Sequence, residues 1–191
     1  MQRYLSIFKM TCLVIAMLLT TSAVYLDQPA QAKTSASSKE AEGHRLYEEM
    51  RKLAQRNAWS GVDRAYQSLI KLKLPSYSPD AHMLGAQASR TAGDIAEALE
   101  RYKKAGSQGQ SEVQAIFGSF GLVKITKGKK KTLARSTSPF AADQRSAITF
   151  AQDNLKDKGK FNGWLPEGDY TLGAASFTVQ SGQSLQTFKG K

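Results

Sequence analysis

Residues 81–105, AHMLGAQASRTAGDIAEALERYKKA, decide how the rest of the chain is read. Leu84, Gly85 and Ala88 recur at the spacing of one helix face, and Ile95, Ala98, Leu99, Tyr102 and Ala105 form the buried stripe of a second helix. Gly93 ends the first helix and Asp94 opens the second. Asp94 with Glu97 makes an acidic variant of the capping box, which satisfies free amides of the first turn. Small residues at Gly85 and Ala98 let the two backbones approach. Nothing in this stretch carries chemistry, so it is read as scaffold.

Leu84, Gly85, Ala88, Gly93, Asp94, Ala98, Tyr102 and Ala105 stand in the order of a tetratricopeptide repeat, which this stretch resembles; Ala81 replaces the usual aromatic. The resemblance implies a binding or assembly module, with the first helix of each pair facing an extended peptide or a partner helix. It places Tyr47, Met50, Asn57, His82, Ala86 and Ser89 on that groove. Such repeats stack about three deep before they are stable, so neighbours are needed.

Upstream, Leu46, Met50, Leu53 and Ala54 follow helical spacing over residues 40–57, and Val62, Ala65, Tyr66, Leu69 and Leu72 do so over 61–72. Ser60 with Asp63 offers a second capping box, and Ala65 precedes Ala98 by 33 residues, so this pair reads as a degenerate earlier repeat. Pro75 and Pro79 separate the two pairs. Downstream, Val113, Ile116 and Phe117 suit a short capping helix. Two repeats and a cap leave an apolar end uncovered, and either the C-terminal half or a second copy of the chain must close it.

Beyond Ser119 the period becomes alternating. Val123 and Ile125 mark a strand, Lys127 and Gly128 a turn, and residues 132–135 a returning strand, a hairpin closed by Pro139. Ala147, Ile148, Ala151 and Leu155 put a helix over 141–156. Short strands follow over 161–188, with turns at Pro166-Glu167-Gly168 and Ser181-Gly182. The run from Gly163 to Leu172, GWLPEGDYTL, followed by Phe177-Thr178-Val179, resembles the PEGA and prealbumin-like β-sandwich modules of exported bacterial proteins; the helix at 141–156 is an insert relative to them. That resemblance implies a module that binds or spaces other domains.

The chain opens with Arg3 and Lys9, an apolar run over 10–26, and the triplet Ala30-Gln31-Ala32, the pattern of a secretory signal peptide. Cleavage after Ala32 is expected, with an uncleaved membrane anchor as the alternative. The expected organisation is therefore a signal peptide over 1–32, a flexible mature N-terminus over 33–39, a tetratricopeptide-like helical domain over 40–118 and a PEGA-like β domain over 119–191. The fold class is α+β. Cys12 falls in the removed segment, so the mature chain has no disulfide and relies on its core.

The formal net charge is +11, of which +10 remains once Arg3, Lys9 and Asp27 are removed. Lys127, Lys129, Lys130, Lys131 and Arg135 are its densest part. On a hairpin tip they would keep sheet edges from aggregating, or would touch an anionic surface. In an exported protein so basic a surface points to phospholipid, an anionic envelope polymer or an acidic protein, and not to nucleic acid. Enzyme chemistry needs a nucleophile, base or metal held near partners. The two histidines, His44 and His82, are far apart in sequence, no cofactor-binding or metal-binding motif is present, and Trp59 and Trp164 read as core or turn covers. The expectation is a non-catalytic exported scaffold that binds a protein or peptide. The alternative is a carbohydrate or cell-wall-polymer binder acting through the β domain and its lysines.

Overall fold

The computed structural model describes residues 28–136 and 141–190, with side chains from residue 37 onward. Residues 1–27, most of the segment expected to be a signal peptide over 1–32, and Pro139 lie outside the described residues. Two units are distinguished, one up to His44 and one over Arg45–Lys191. Helix α1 runs over Gln28–Gln55, so the stretch expected to be flexible, 33–39, is helical. Pro29 sits in the first turn, where its missing N–H costs nothing, and no glycine or proline interrupts residues 30–42.

The larger unit begins with paired helices. The end of α1 is closed by Asn57 in left-handed backbone, φ 56°. The Asn57 and Ala58 amides donate to the Ala54 and Leu53 carbonyls at 2.9 Å each, a Schellman closure. Helix α2 follows over Trp59–Lys71 and α3 over Pro79–Ala92, with proline in the first turn of α3. The Ser60–Asp63 capping box does not form. The α2 helix starts two residues earlier, at Trp59 and not Gly61, with Ala58 at the cap and no side-chain bond, which frees Asp63 for a different partner.

Gly93 ends α3 with φ 89°, and the Asp94 amide donates to the Ser89 carbonyl at 3.0 Å. Asp94 then caps α4, Ile95–Lys104, accepting from the Glu97 amide at 3.0 Å. Ala98 is fully buried. The space left by Gly85 is filled from the preceding pair: a Cβ there would lie 2.5 Å from the Tyr66 ring. A 3₁₀ turn over Gly106–Gly109 leads to α5, Gln110–Phe117.

The β module holds strands β1 (Phe120–Thr126), β2 (Leu133–Arg135), β3 (Phe161–Pro166), β4 (Gly168–Leu172), β5 (Ala175–Val179) and β6 (Gly182–Lys189), with helix α6 (Ala142–Lys158) between β2 and β3. They form two three-stranded sheets, ordered β3-β1-β6 and β2-β4-β5. The expected β1–β2 hairpin is absent. Strand β1 pairs antiparallel with β3, Leu122 opposite Trp164, and parallel with β6, Ile125 opposite Phe188. Both its hydrogen-bonding edges are thus occupied, and β2 crosses to β4, where Leu133 meets Leu172.

Val123, Ile125, Phe161 and Leu165 of one sheet share a core with Leu133, Tyr170, Leu172 and Val179 of the other, and Ala151 and Leu155 of α6 enter the same core. Tyr170 and Leu172 both face inward, and the Tyr170 hydroxyl donates to the Pro166 carbonyl at 2.7 Å. Burial holds that phenol well above its usual range.

The uncovered end of the helical pairs is closed by the β module. Ile95, Ala98, Leu99, Tyr102, Val113 and Ile116 form one cluster with Phe120 of β1 and Ala147 of α6, and Trp164 packs at its edge. Arg90 ties the same join together. Its guanidinium donates to the Glu112 carboxylate at 2.6 Å and, through two nitrogens, to Asp143 of α6 at 2.8 and 2.9 Å.

Candidate functional site

The residues expected on the peptide groove separate into two groups. Met50, His82, Ala86 and Ser89 are buried, so they are core residues and not a binding face. Asn57 is exposed at the α1 closure, and Tyr47 is half-buried, its hydroxyl 3.4 Å from an Asp80 carboxylate oxygen. The physical reason is a small rotational error. Successive helix residues are turned by about 100°, and positions 82, 86 and 89 form the stripe that α3 buries, whereas Asp80, Met83 and Leu84 meet Tyr47, Arg51 and Ala54 around a shallow depression of about 340 Å³.

His82 is enclosed by two tyrosines. Its Nδ1 lies 2.9 Å from the Tyr66 hydroxyl, and the Tyr66 and Tyr77 rings meet it edge-on at 5.9 and 5.8 Å. Burial, and secondarily the charge of Lys104, lowers its pKa from 6.5. Between that lowered value and 6.5 the unfolded chain binds a proton that the folded chain does not. Stability should therefore be whole above pH 6.5 and decline as the pH falls below it. Thermal unfolding followed across that interval checks this, and His82→Gln should flatten the dependence.

The basic segment is also rearranged. Lys127, Lys129 and Lys130 are exposed and Lys131 is half-buried on the connection from β1 to β2, which joins two sheets instead of tipping a hairpin. Arg135 is not part of the patch. Its guanidinium turns inward to the Gln144 side chain at 3.2 Å and to the Glu167 carbonyl.

A cleft of about 620 Å³ opens where the helical pairs meet the β module, within the size range of ligand sites. One wall is the start of α4, where Asp94, Glu97 and Glu100 supply carboxylates; the other is Lys124 of β1, Lys158 of α6 and Lys160. Ile125, Phe150, Phe161 and Trp164 give the cleft its apolar part, and Asn154 and Asn162 add amides. Trp164 is positioned from the helical side, its ring centroid 5.5 Å from that of Phe117.

Not all of these groups are equally available. Asp94 is engaged as a cap and Glu97 accepts from Arg101 at 2.9 Å. Glu100, Lys124, Lys160 and Asn162 are exposed; Glu100 accepts from Lys103 at 3.1 Å on the surface, and Lys158 donates to Asn154 at 2.8 Å. The lining has no histidine or cysteine. Its carboxylates, ammonium groups and amides can hold a chain that carries both signs of charge, with an apolar side chain seated against Trp164.

Sequence reading missed this site, because α4, β1, α6 and β3 each contribute a few residues and no local motif joins them. It also missed Arg101, which is 2% exposed and lies 4.4 Å over the Tyr66 ring. The only local signal was Glu97 four residues before it. Among the described residues no three His, Cys, Asp or Glu side chains come together as a metal-holding group, and no helix is long and apolar enough to cross a membrane. Comparison of the chain with protein families, with curated proteins and with solved structures finds no match.

Proposed function

We propose that this chain is a non-catalytic, exported adaptor that holds an extended segment of a partner protein in the cleft between its helical pairs and its β module. The observation that carries this reading is the cleft's two-signed lining, with carboxylates of α4 facing lysines of β1 and α6 beside an apolar surface. A polypeptide supplies both charges and an apolar side chain at short spacing, whereas a uniformly anionic polymer would be repelled by the α4 wall. The helical pairs are tetratricopeptide-like in this reading. Support comes from the Gly93–Asp94 junction, the buried Ala98 and the closely packed Gly85. The β module is prealbumin-like, supported by two sheets that share one core. Export rests on the Arg3–Ala32 pattern.

Selection of random displayed peptides on the full chain tests the proposal. Enriched sequences should carry an aromatic or aliphatic residue flanked by opposite charges. The variant Glu100→Lys, at an exposed position of the acidic wall, should weaken those peptides about tenfold and select an acid in place of the base. Peptides indifferent to Glu100→Lys and Lys124→Glu would remove the cleft from the proposal.

A further inference from the structure

Three segments distant in sequence end together at one end of the β module, and each brings lysines. The β1–β2 connection supplies Lys127, Lys129 and Lys130, the last turn of α6 supplies Lys156 and Lys158, and the end of β6 supplies Lys189, all exposed. Their closeness is fixed by the backbone. The Gly128 amide donates to the Gly159 carbonyl, and the Gly190 amide to the Thr126 carbonyl, at 2.9 Å each. A Cβ on Gly159 would touch Lys129 at 3.1 Å, and one on Gly190 would lie 3.1 Å from the Lys131 ammonium. Asp157 is the acidic residue within these segments.

Two features of this end bear on its partner. Lys127 and Lys130 hold φ of 57° and 62°, backbone that glycine or asparagine adopts at lower cost, so the turn keeps ammonium groups where turn geometry alone would favour other residues. The basic groups displayed here are lysines, while Arg135 is turned inward. Lysine is a strongly hydrated point charge on a flexible stem, suited to diffuse attraction and poorly suited to bidentate recognition of a particular phosphate. The aromatic residue of these segments, Phe188, is stacked on Phe177 at 4.2 Å and packs against the β core, so it is already engaged.

We propose that this lysine end is an electrostatic contact for the surface of an anionic lipid bilayer. It shares Lys158 with the cleft wall and otherwise does not depend on the cleft reading. The measurement is cosedimentation of the full chain with vesicles of phosphatidylcholine, alone or with about one-third phosphatidylglycerol. The neutral vesicles report any contribution of the apolar run over 10–26, so the quantity read is the ratio of anionic to neutral partition. That ratio should fall steeply with added salt.

Lys129→Gln, Lys156→Gln and Lys189→Gln, one from each segment, should each lower the ratio about fivefold, and together on the order of 100-fold, whichever is removed first. Lys71→Gln, on the helical pairs, should leave it unchanged. A ratio near one, or a ratio unmoved by the triple variant with its circular dichroism intact, would overturn the proposal. So would a full effect from one lysine alone, or retention on soluble polyphosphate with none on anionic vesicles, which would assign the end to a polymer.

Discussion

Replacing Gly93 with alanine should lower the stability of the chain by roughly 2–5 kcal/mol, the sum of two separate penalties. The first is conformational: φ is 89°, and a Cβ in left-handed backbone costs about 1–2 kcal/mol. The second is steric and involves α6. The added methyl would sit 2.2 Å from the Ser146 carbonyl oxygen, a backbone atom that cannot rotate away, so α6 must move back from the helical pairs. Overpacking of that kind costs about 1–3 kcal/mol.

Gly106 supplies the control, because its φ is also positive at 64° and nothing lies within 4 Å of the Cβ it would gain. Gly106→Ala should therefore show the conformational penalty alone. Denaturant midpoints of the two variants separate the contributions. Equal losses would mean that α6 does not press on the α3–α4 junction.

Arg101→Ala should cost a comparable amount, roughly 2–4 kcal/mol, for reasons a surface ion pair would not provide. The guanidinium bridges Asp63 of α2 at 2.5 Å, Glu97 of α4 at 2.9 Å and the Gly85 carbonyl of α3 at 2.9 Å. Its removal leaves a cavity beneath Tyr66 and a buried carbonyl without that donor. The two carboxylates, 40% and 46% exposed, can recover water, which keeps the loss below that of a wholly buried pair. Arg101→Lys retains the charge but cannot reach three acceptors in one fork, so it should recover only part of the loss. Full recovery by lysine, read as an unchanged urea midpoint, would show that charge alone matters at this site.

These two positions also mark how far the sequence could be read. The α3–α4 pair was legible because its signals are local: Gly93 ends one helix, Asp94 caps the next, and Ala98 and Tyr102 fall on a buried stripe. Strand positions around Tyr170 and Phe177 were legible for the same reason, since alternation is a property of neighbours. Pairing was not. Whether Leu133 lies beside β1 or opposite Leu172 depends on which edges β3 and β6 have already taken, a fact distributed over the whole β module.

The candidate binding surface was misread at two different scales. On α3 Gly85 and Ala88 were placed correctly inside, but His82, Ala86 and Ser89 were assigned to the groove although the buried arc extends over them, a misjudgement of less than the roughly 100° by which one residue turns a helix. The cleft failed for a topological reason. Glu100, Lys124 and Lys160 meet only after α6 has packed on Gly93 and β1 has paired with β3.

The cleft is tested most directly by hydrogen exchange of the full chain with and without a peptide taken from the displayed library. Bound peptide should slow exchange together at the start of α4, Asp94–Glu100, and in β3, Phe161–Trp164, because both line the same opening. Protection confined to the α1–α3 depression around Tyr47, Met83 and Leu84, with α4 and β3 unchanged, would contradict it.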